Sequence, residues 1–214
     1  MTFTIIGIDK KNKELGIACF SKAFAVGAIA PAADLRFGAV STQSYPNVSY
    51  KEKGIELMKK YSPEKAISIL VNSDKDKEIR QVILMNKNGQ SAEFTGKKNV
   101  PWAGGIKGKD CICAGNILIG ERVLIEMVKA FEKSKKSLAE KLIEALKAGE
   151  KRGGDKRKRK YNSASLIVEK NRGGIFGIGN RYLDLRADCS KDSIKELSNL
   201  LKTKLNLIKK YSKK

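Results

Sequence analysis

The sequence predicts an α+β protein of two packed antiparallel sheets with helices on both outer faces. Three observations point there. A strand-like run, TFTIIGID, begins at the second residue and ties the chain terminus into a buried sheet. Hairpin signals recur, most strongly Asn86-Lys87-Asn88-Gly89 between two short apolar runs. The elements come in blocks (strands, two helices, strands, two helices, strands, one helix) rather than as alternating βαβ units. No repeat or long linker interrupts this order, so residues 1–214 read as a single domain.

The first strand, residues 2–9, passes through a charged turn at 10–14 into a second apolar run at 15–20, a hairpin. Further strands are expected at 24–29 and 35–42, with a turn holding Pro31 and Asp34 between them. Ala23, Ala25, Gly27, Ala28 and Ala30 are small, so backbones or a ligand can approach closely here. Residues 42–50, TQSYPNVSY, read as a polar loop. Residues 51–71 form two helices, divided at Ser62-Pro63-Glu64, where Ser caps and Pro takes the first helical position. Strands at 81–85 and 91–95 flank the Asn-Gly turn.

Residues 97–120 are glycine-rich and contain the only tryptophan, Trp102. They read either as a substrate wall with an amide donor at Asn116 or as a turn-rich loop whose Trp plugs the core. Amphipathic helices follow at 121–131 (Leu124, Val128, Phe131) and 137–146 (Leu138, Leu142, Leu146), with Gly149 as a stop. Strands at 161–169 and 181–188 enclose a GGIFGIG turn. A last helix at 192–208 carries Ile194, Leu197, Leu201, Leu205 and Ile208 on one stripe.

Composition removes several chemistries. The chain has no His, which excludes Ser-His-Asp and Cys-His pairs and any His metal ligand. Its four cysteines form no C-x-x-C pair, which argues against a zinc ribbon or thioredoxin motif. No phosphate-binding loop is present, and GGIFGIG lacks the spacing of a dinucleotide fingerprint. No cofactor or metal is expected. No signal or membrane-length apolar segment is visible, so a cytoplasmic protein without a membrane partner is expected.

Lys and Arg total 44 against 23 acids, a formal charge of +21, which favours anionic partners such as nucleic acid or acidic lipid. Seven of the ten residues from Lys151 to Lys160, KRGGDKRKRK, are basic. A nucleic-acid grip is one reading of that run. The favoured one is a solvated loop, because no interleaved aromatic platform appears before Tyr161. A Lys-rich surface also accompanies life at high temperature.

The most specific chemistry lies at the start. Met1 precedes the small residue Thr2, a pair from which the initiator is commonly removed. Removal would leave Thr2 with a free α-amine beside its own hydroxyl. That amine, with a reference pKa of ~7.7–8.0, can take the hydroxyl proton and activate a weak nucleophile. Lys22, one hairpin later, would lower the amine pKa if it lies nearby. The plainer alternative makes Thr2 an ordinary strand residue and Lys22 a solvated charge.

Several motifs line up with one family: MTFTIIGID, GIACFSKAFAVGA, PWAGGIKG, AGNILIG, GGD, SASLIV and RYLDLRAD. In this order they cover nearly the whole chain. The sequence resembles a prokaryotic domain-of-unknown-function family placed by fold among the N-terminal-nucleophile (Ntn) hydrolases, alongside proteasome subunits. The resemblance implies a four-layer αββα sandwich and supplies no substrate. The chain departs from the family pattern where members often carry Gly-His in place of Gly104-Gly105, and Gln-Gly-Asn in place of Ala114-Gly115-Asn116. The expected function is hydrolysis of an amide bond in a small molecule or peptide, with Thr2 as nucleophile and Lys22 tuning its amine. Trp102 and Asn116 are the expected substrate contacts, and backbone amides near Gly27 or Gly115 the oxyanion donors. The alternative is a non-catalytic binding or assembly protein that keeps the sandwich; on either reading a homo-oligomer is among the expected partners.

Overall fold

A computed structural model describes residues 2–154, 157 and 159–211 of the chain. The strands are β1 (Thr2–Asp9), β2 (Glu14–Ser21), β3 (Pro31–Asp34), β4 (Gly38–Ser44), β5 (Arg80–Asn86), β6 (Ser91–Thr95), β7 (Gly104–Gly108), β8 (Cys111–Gly115), β9 (Asn162–Lys170) and β10 (Arg181–Ser190). The helices are α1 (Val26–Ile29), α2 (Ser49–Leu57), α3 (Pro63–Asn72), α4 (Arg122–Lys133), α5 (Leu138–Lys151) and α6 (Ser193–Tyr211). One sheet has six strands in the order β10-β9-β2-β1-β8-β7, and the other four in the order β3-β4-β5-β6. The pairings are antiparallel throughout.

Three apolar clusters define the layers. Phe3, Ile5 and Phe20 pack against Met127, Phe131, Leu142 and Leu197, which sets α4, α5 and α6 on one face of the six-stranded sheet. Ile6, Ile17 and Ile112 meet Ala39, Ile83 and Met85 between the two sheets. Val40, Val82 and Leu84 meet Tyr50, Ile67 and Leu70, which sets α2 and α3 on the outer face of the smaller sheet. β1 is buried at nearly every position because helices cover one of its faces and the second sheet the other. Gly7 is required there: a Cβ on it would sit 2.6 Å from the Phe131 ring. No helix among the described residues is long and apolar enough to cross a membrane.

Local signals decide where elements begin. Ser62 accepts from the Lys65 amide with Pro63 behind it, as the sequence indicates for α3. Ser137 and Glu140 form a reciprocal capping box at the start of α5. Each buried Leu on α5 contributes ~1.5–3 kcal/mol, so packing holds this helix and the cap fixes its first turn. Ser137→Ala is expected to cost about 1 kcal/mol in urea titration, with an unchanged m-value. Gly149 does not stop α5, which runs on to Lys151; Gly149 instead lies against Met127, where a Cβ would come within 2.9 Å.

Other expectations change as well, among them the turn at Pro31 and Asp34, which both lie in β3. Residues 24–29 are not a strand. Ala25 is left-handed (φ 49°) and α1 follows, so β3 starts only at Pro31. Proline is accommodated because β3 is an edge strand. The glycine-rich segment at 97–120 contains a hairpin, β7–β8, with β8 fully buried beside β1.

The turn after α3 is held by a buried carboxylate. Asp74 accepts from Asn47 (3.0 Å), the Tyr50 hydroxyl (2.9 Å), Arg80 Nε (3.0 Å) and the Asp76 amide (2.8 Å). Burial alone would raise its pKa; hydrogen bonds from Asn47, Arg80, the Asp76 amide and Tyr50 outweigh that and hold it well below the usual carboxylate range. A depressed carboxyl stabilises the fold above its unfolded pKa of ~3.9, and that contribution is lost as pH falls toward the folded value. Asp74→Asn should therefore cost about 2 kcal/mol at pH 7. Thermal melts across pH should show its gap from wild type narrowing below about pH 4.

Candidate functional site

The space between the sheets changes character along its length. In β1 the side chains facing the second sheet are Thr2, Thr4, Ile6 and Ile8, by strand alternation. In β2 the register sets Ser21 against Thr2, Cys19 against Thr4, Ile17 against Ile6 and Leu15 against Ile8. Across the gap, β4 offers Gln43, Ser41 and Ala39 while β5 offers Gln81, Ile83 and Met85, again in register. The Ile8–Leu15 end is therefore apolar and the Thr2 end polar.

At the polar end the groups are bonded to one another. Thr4 Oγ1 donates to Gln43 Oε1 (2.7 Å) and lies 3.2 Å from both Cys19 Sγ and Ser41 Oγ. Gln43 Nε2 donates to Gln81 Oε1 (2.7 Å). Gln81 Nε2 shares its two hydrogens among the carbonyls of Gly115 (2.9 Å) and Gly104 (3.2 Å) and Thr95 Oγ1 (2.9 Å). Carbonyls only accept, so this fixes which end of the Gln81 amide donates. Asn116 Nδ2 then donates to Gln81 Oε1 (2.9 Å), leaving Asn116 Oδ1 to accept the Thr2 backbone nitrogen (3.2 Å). The Asn116 amide in turn donates to the Thr2 carbonyl (3.1 Å). Asn116 thus clamps both main-chain groups of Thr2, through a chain of contacts anchored on the opposite sheet.

The Thr2 hydroxyl donates to Ser21 Oγ at 3.3 Å, and Thr2 is 8% exposed. Cys19, fully buried beside Thr4, has its thiol pushed up to about 11 by burial, so it carries no thiolate at neutral pH. Thr2, Thr4, Ser21, Ser41, Gln43, Gln81 and Asn116 are uncharged side chains. The one group in this set that chemistry can turn into a base near neutral pH is the Thr2 nitrogen, once it is an amine.

The structure brings Thr2 and Asn116 together, though Asn116 is fully buried and committed to the clamp. Lys22 follows Ser21, and its ammonium donates to the Arg157 carbonyl at 2.7 Å. It lines a cleft of about 330 Å³ together with Phe24, Arg159, Lys160, Tyr161 and Asp188. Trp102 is not brought to the Thr2 hydroxyl. It is half-buried against the helix-facing cluster of the larger sheet, and its backbone pairs with Leu118. Gly115 is the carbonyl anchor for Gln81, and Gly27 lies in α1, where a Cβ would meet Ser165 at 2.7 Å. Met1, Asp155, Lys156 and Lys158 lie outside the described residues. Gln43 and Gln81 were not visible as site residues in the sequence; the available signal was a glutamine on the inward face of each of two neighbouring strands.

Fold and site define an α+β protein of two stacked antiparallel sheets with a buried, uncharged hydrogen-bond chain ending at the start of β1. Residues 2–197 match the model of DUF1028, described as a family of unknown function, and the chain belongs to that family. A crystal structure of protein SPO2555 from Silicibacter pomeroyi, of the same family, is similar at a TM-score of 0.85 and 26% identity. The match covers 94% of this chain and 88% of that one. No curated protein matches.

Proposed function

We propose that the chain is an Ntn-type hydrolase of amide bonds, with the αββα sandwich of that class and Thr2 as its nucleophile once Met1 is removed. The observation that carries this reading is the clamp on Thr2. Asn116 Oδ1 takes one hydrogen of the Thr2 nitrogen. In a neutral amine that leaves the lone pair free to accept the proton of the adjacent hydroxyl. Burial favours the neutral amine, and the Lys22 charge is assigned the same effect.

In the proposed reaction the Thr2 oxygen attacks the substrate carbonyl as the amine takes the hydroxyl proton. The tetrahedral species collapses, the C–N bond breaks, and the amine returns the proton to the leaving nitrogen. Water then attacks the Thr2 ester, giving the acid and restoring the hydroxyl. The cleft at Lys22, Phe24 and Tyr161 opens beside the end of β2 and is assigned to the substrate.

A second reading is supported by the burial of Thr2 and the donation of its hydroxyl to Ser21: a non-catalytic binding or assembly protein. The intact mass of untagged protein separates the two. Loss of Met1 is expected for the hydrolase; a retained Met1 removes the amine and leaves the second reading.

A further inference from the structure

The Ile8–Leu15 end of the molecule, remote from Thr2, carries an unusual loop. Between β9 and β10 the segment GGIFGIG exposes Ile175 (72%), Phe176 (96%) and Ile178 (78%). Three large apolar side chains this open on one short loop are rare on a free surface and mark a contact site. The backbone holds the loop in this shape: Phe176 is left-handed at φ 56°, and Gly177 and Gly179 also have positive φ.

The loop does not stand alone. Register pairs Glu14 with Lys170, so the β1–β2 turn lies at the same end. Asn171 and Asn180, at the two feet of the loop, line a cleft of about 550 Å³ with Lys10, Lys13, Arg36 and Lys87. The nearby acids already have partners: Glu14 pairs with Lys170, Glu169 with Arg181, Asp34 with Arg36, and Asp9 caps its own turn through Asn12. Among the described residues, Lys11, Lys13, Lys87 and Arg172 are exposed and make no ion pair. An apolar tip thus projects from a ring of unneutralised cations.

We propose that this end docks on an anionic lipid surface, with Ile175, Phe176 and Ile178 entering the headgroup–acyl boundary and the lysines facing lipid phosphates. Charge decides between occupants. A second copy would bring another chain of formal charge +21 against the same basic ring, whereas an anionic bilayer complements it. Each basic residue near such a surface contributes roughly fivefold in affinity, and an apolar tip adds insertion. This is peripheral docking; it needs no spanning segment and so stands apart from the expectation of no membrane partner drawn from the lack of one.

The test uses the full chain with vesicles of phosphatidylcholine, alone or mixed with phosphatidylglycerol. Co-sedimentation with the mixed vesicles is expected, weakening as salt rises. The triple variant Ile175→Ser, Phe176→Ser, Ile178→Ser changes only exposed side chains and should bind at least tenfold more weakly. Phe176→Trp should show a blue-shifted emission on vesicle addition. No binding to mixed vesicles at low salt, or binding undiminished in the triple variant, would overturn the proposal. So would a dimer in sedimentation equilibrium that the triple variant dissociates, because the loop would then be covered by a second copy.

Discussion

If the proposed chemistry holds, Thr2→Ala is expected to abolish amide hydrolysis while leaving the fold nearly as stable as before. The lost hydroxyl makes one long contact, 3.3 Å to Ser21, worth about 1 kcal/mol, or ~2–4 °C in Tm for a chain of this size. The main-chain clamp by Asn116 does not depend on the side chain and survives. Removing a nucleophile, by contrast, costs roughly 10³-fold or more in turnover. Alanine at position 2 is small enough to permit the same loss of Met1, so the variant separates the hydroxyl from processing. Thr2→Ser keeps an oxygen and should retain measurable activity. Full turnover in Thr2→Ala would remove Thr2 from the mechanism, and a Tm drop far beyond a few degrees would make it a structural residue.

The largest stability effect is expected at Gln81. It is fully buried; its amide shares two hydrogens among Thr95 of its own sheet and the Gly104 and Gly115 carbonyls of the other, and its oxygen accepts from Gln43 beside it and from Asn116 across the gap. Gln81→Leu fills similar space but strands the side-chain amide donors of Gln43 and Asn116 away from water and removes one bond from each of the Gly104 and Gly115 carbonyls. An unsatisfied buried polar group costs ~1–3 kcal/mol, and relaxation recovers part of the sum. A net loss of about 3–5 kcal/mol follows, on the order of 10 °C in Tm. Differential scanning calorimetry reads this directly. A loss below about 1 kcal/mol would show that the chain of amides does not hold the site. The same variant frees Asn116 to rotate, so Thr2 loses its orientation along with the stability.

Fold and site were legible to different depths. The start of α3 is plain because Ser62-Pro63 satisfies an amide donor locally, and the structure uses it that way; the start of α5 is legible from its Leu stripe, while the Ser137–Glu140 box emerges only in the structure. β1 and β2 were legible as apolar runs. Residues 24–29 were not, because small side chains carry little local preference; the left-handed Ala25 and the docking of α1 decide the path. The β7–β8 hairpin was hidden by glycines at 104, 105 and 115, whose close approach to neighbours matters more than strand propensity. In the site, Thr2 and Asn116 could be singled out, but Gln43 and Gln81 look like ordinary polar strand residues. Only the register, which sets Gln43 opposite Gln81 and the second sheet over Thr4, turns them into a chain leading to Thr2.

Covalent trapping decides whether Thr2 acts as an N-terminal nucleophile. Protein shown by mass to lack Met1 is treated with a hydroxyl-directed β-lactone, and the adduct is located by peptide mass spectrometry. A single acyl adduct on Thr2, absent from Thr2→Ala, is expected. Processed protein that takes no adduct, or takes it on another residue, would remove Thr2 as the nucleophile.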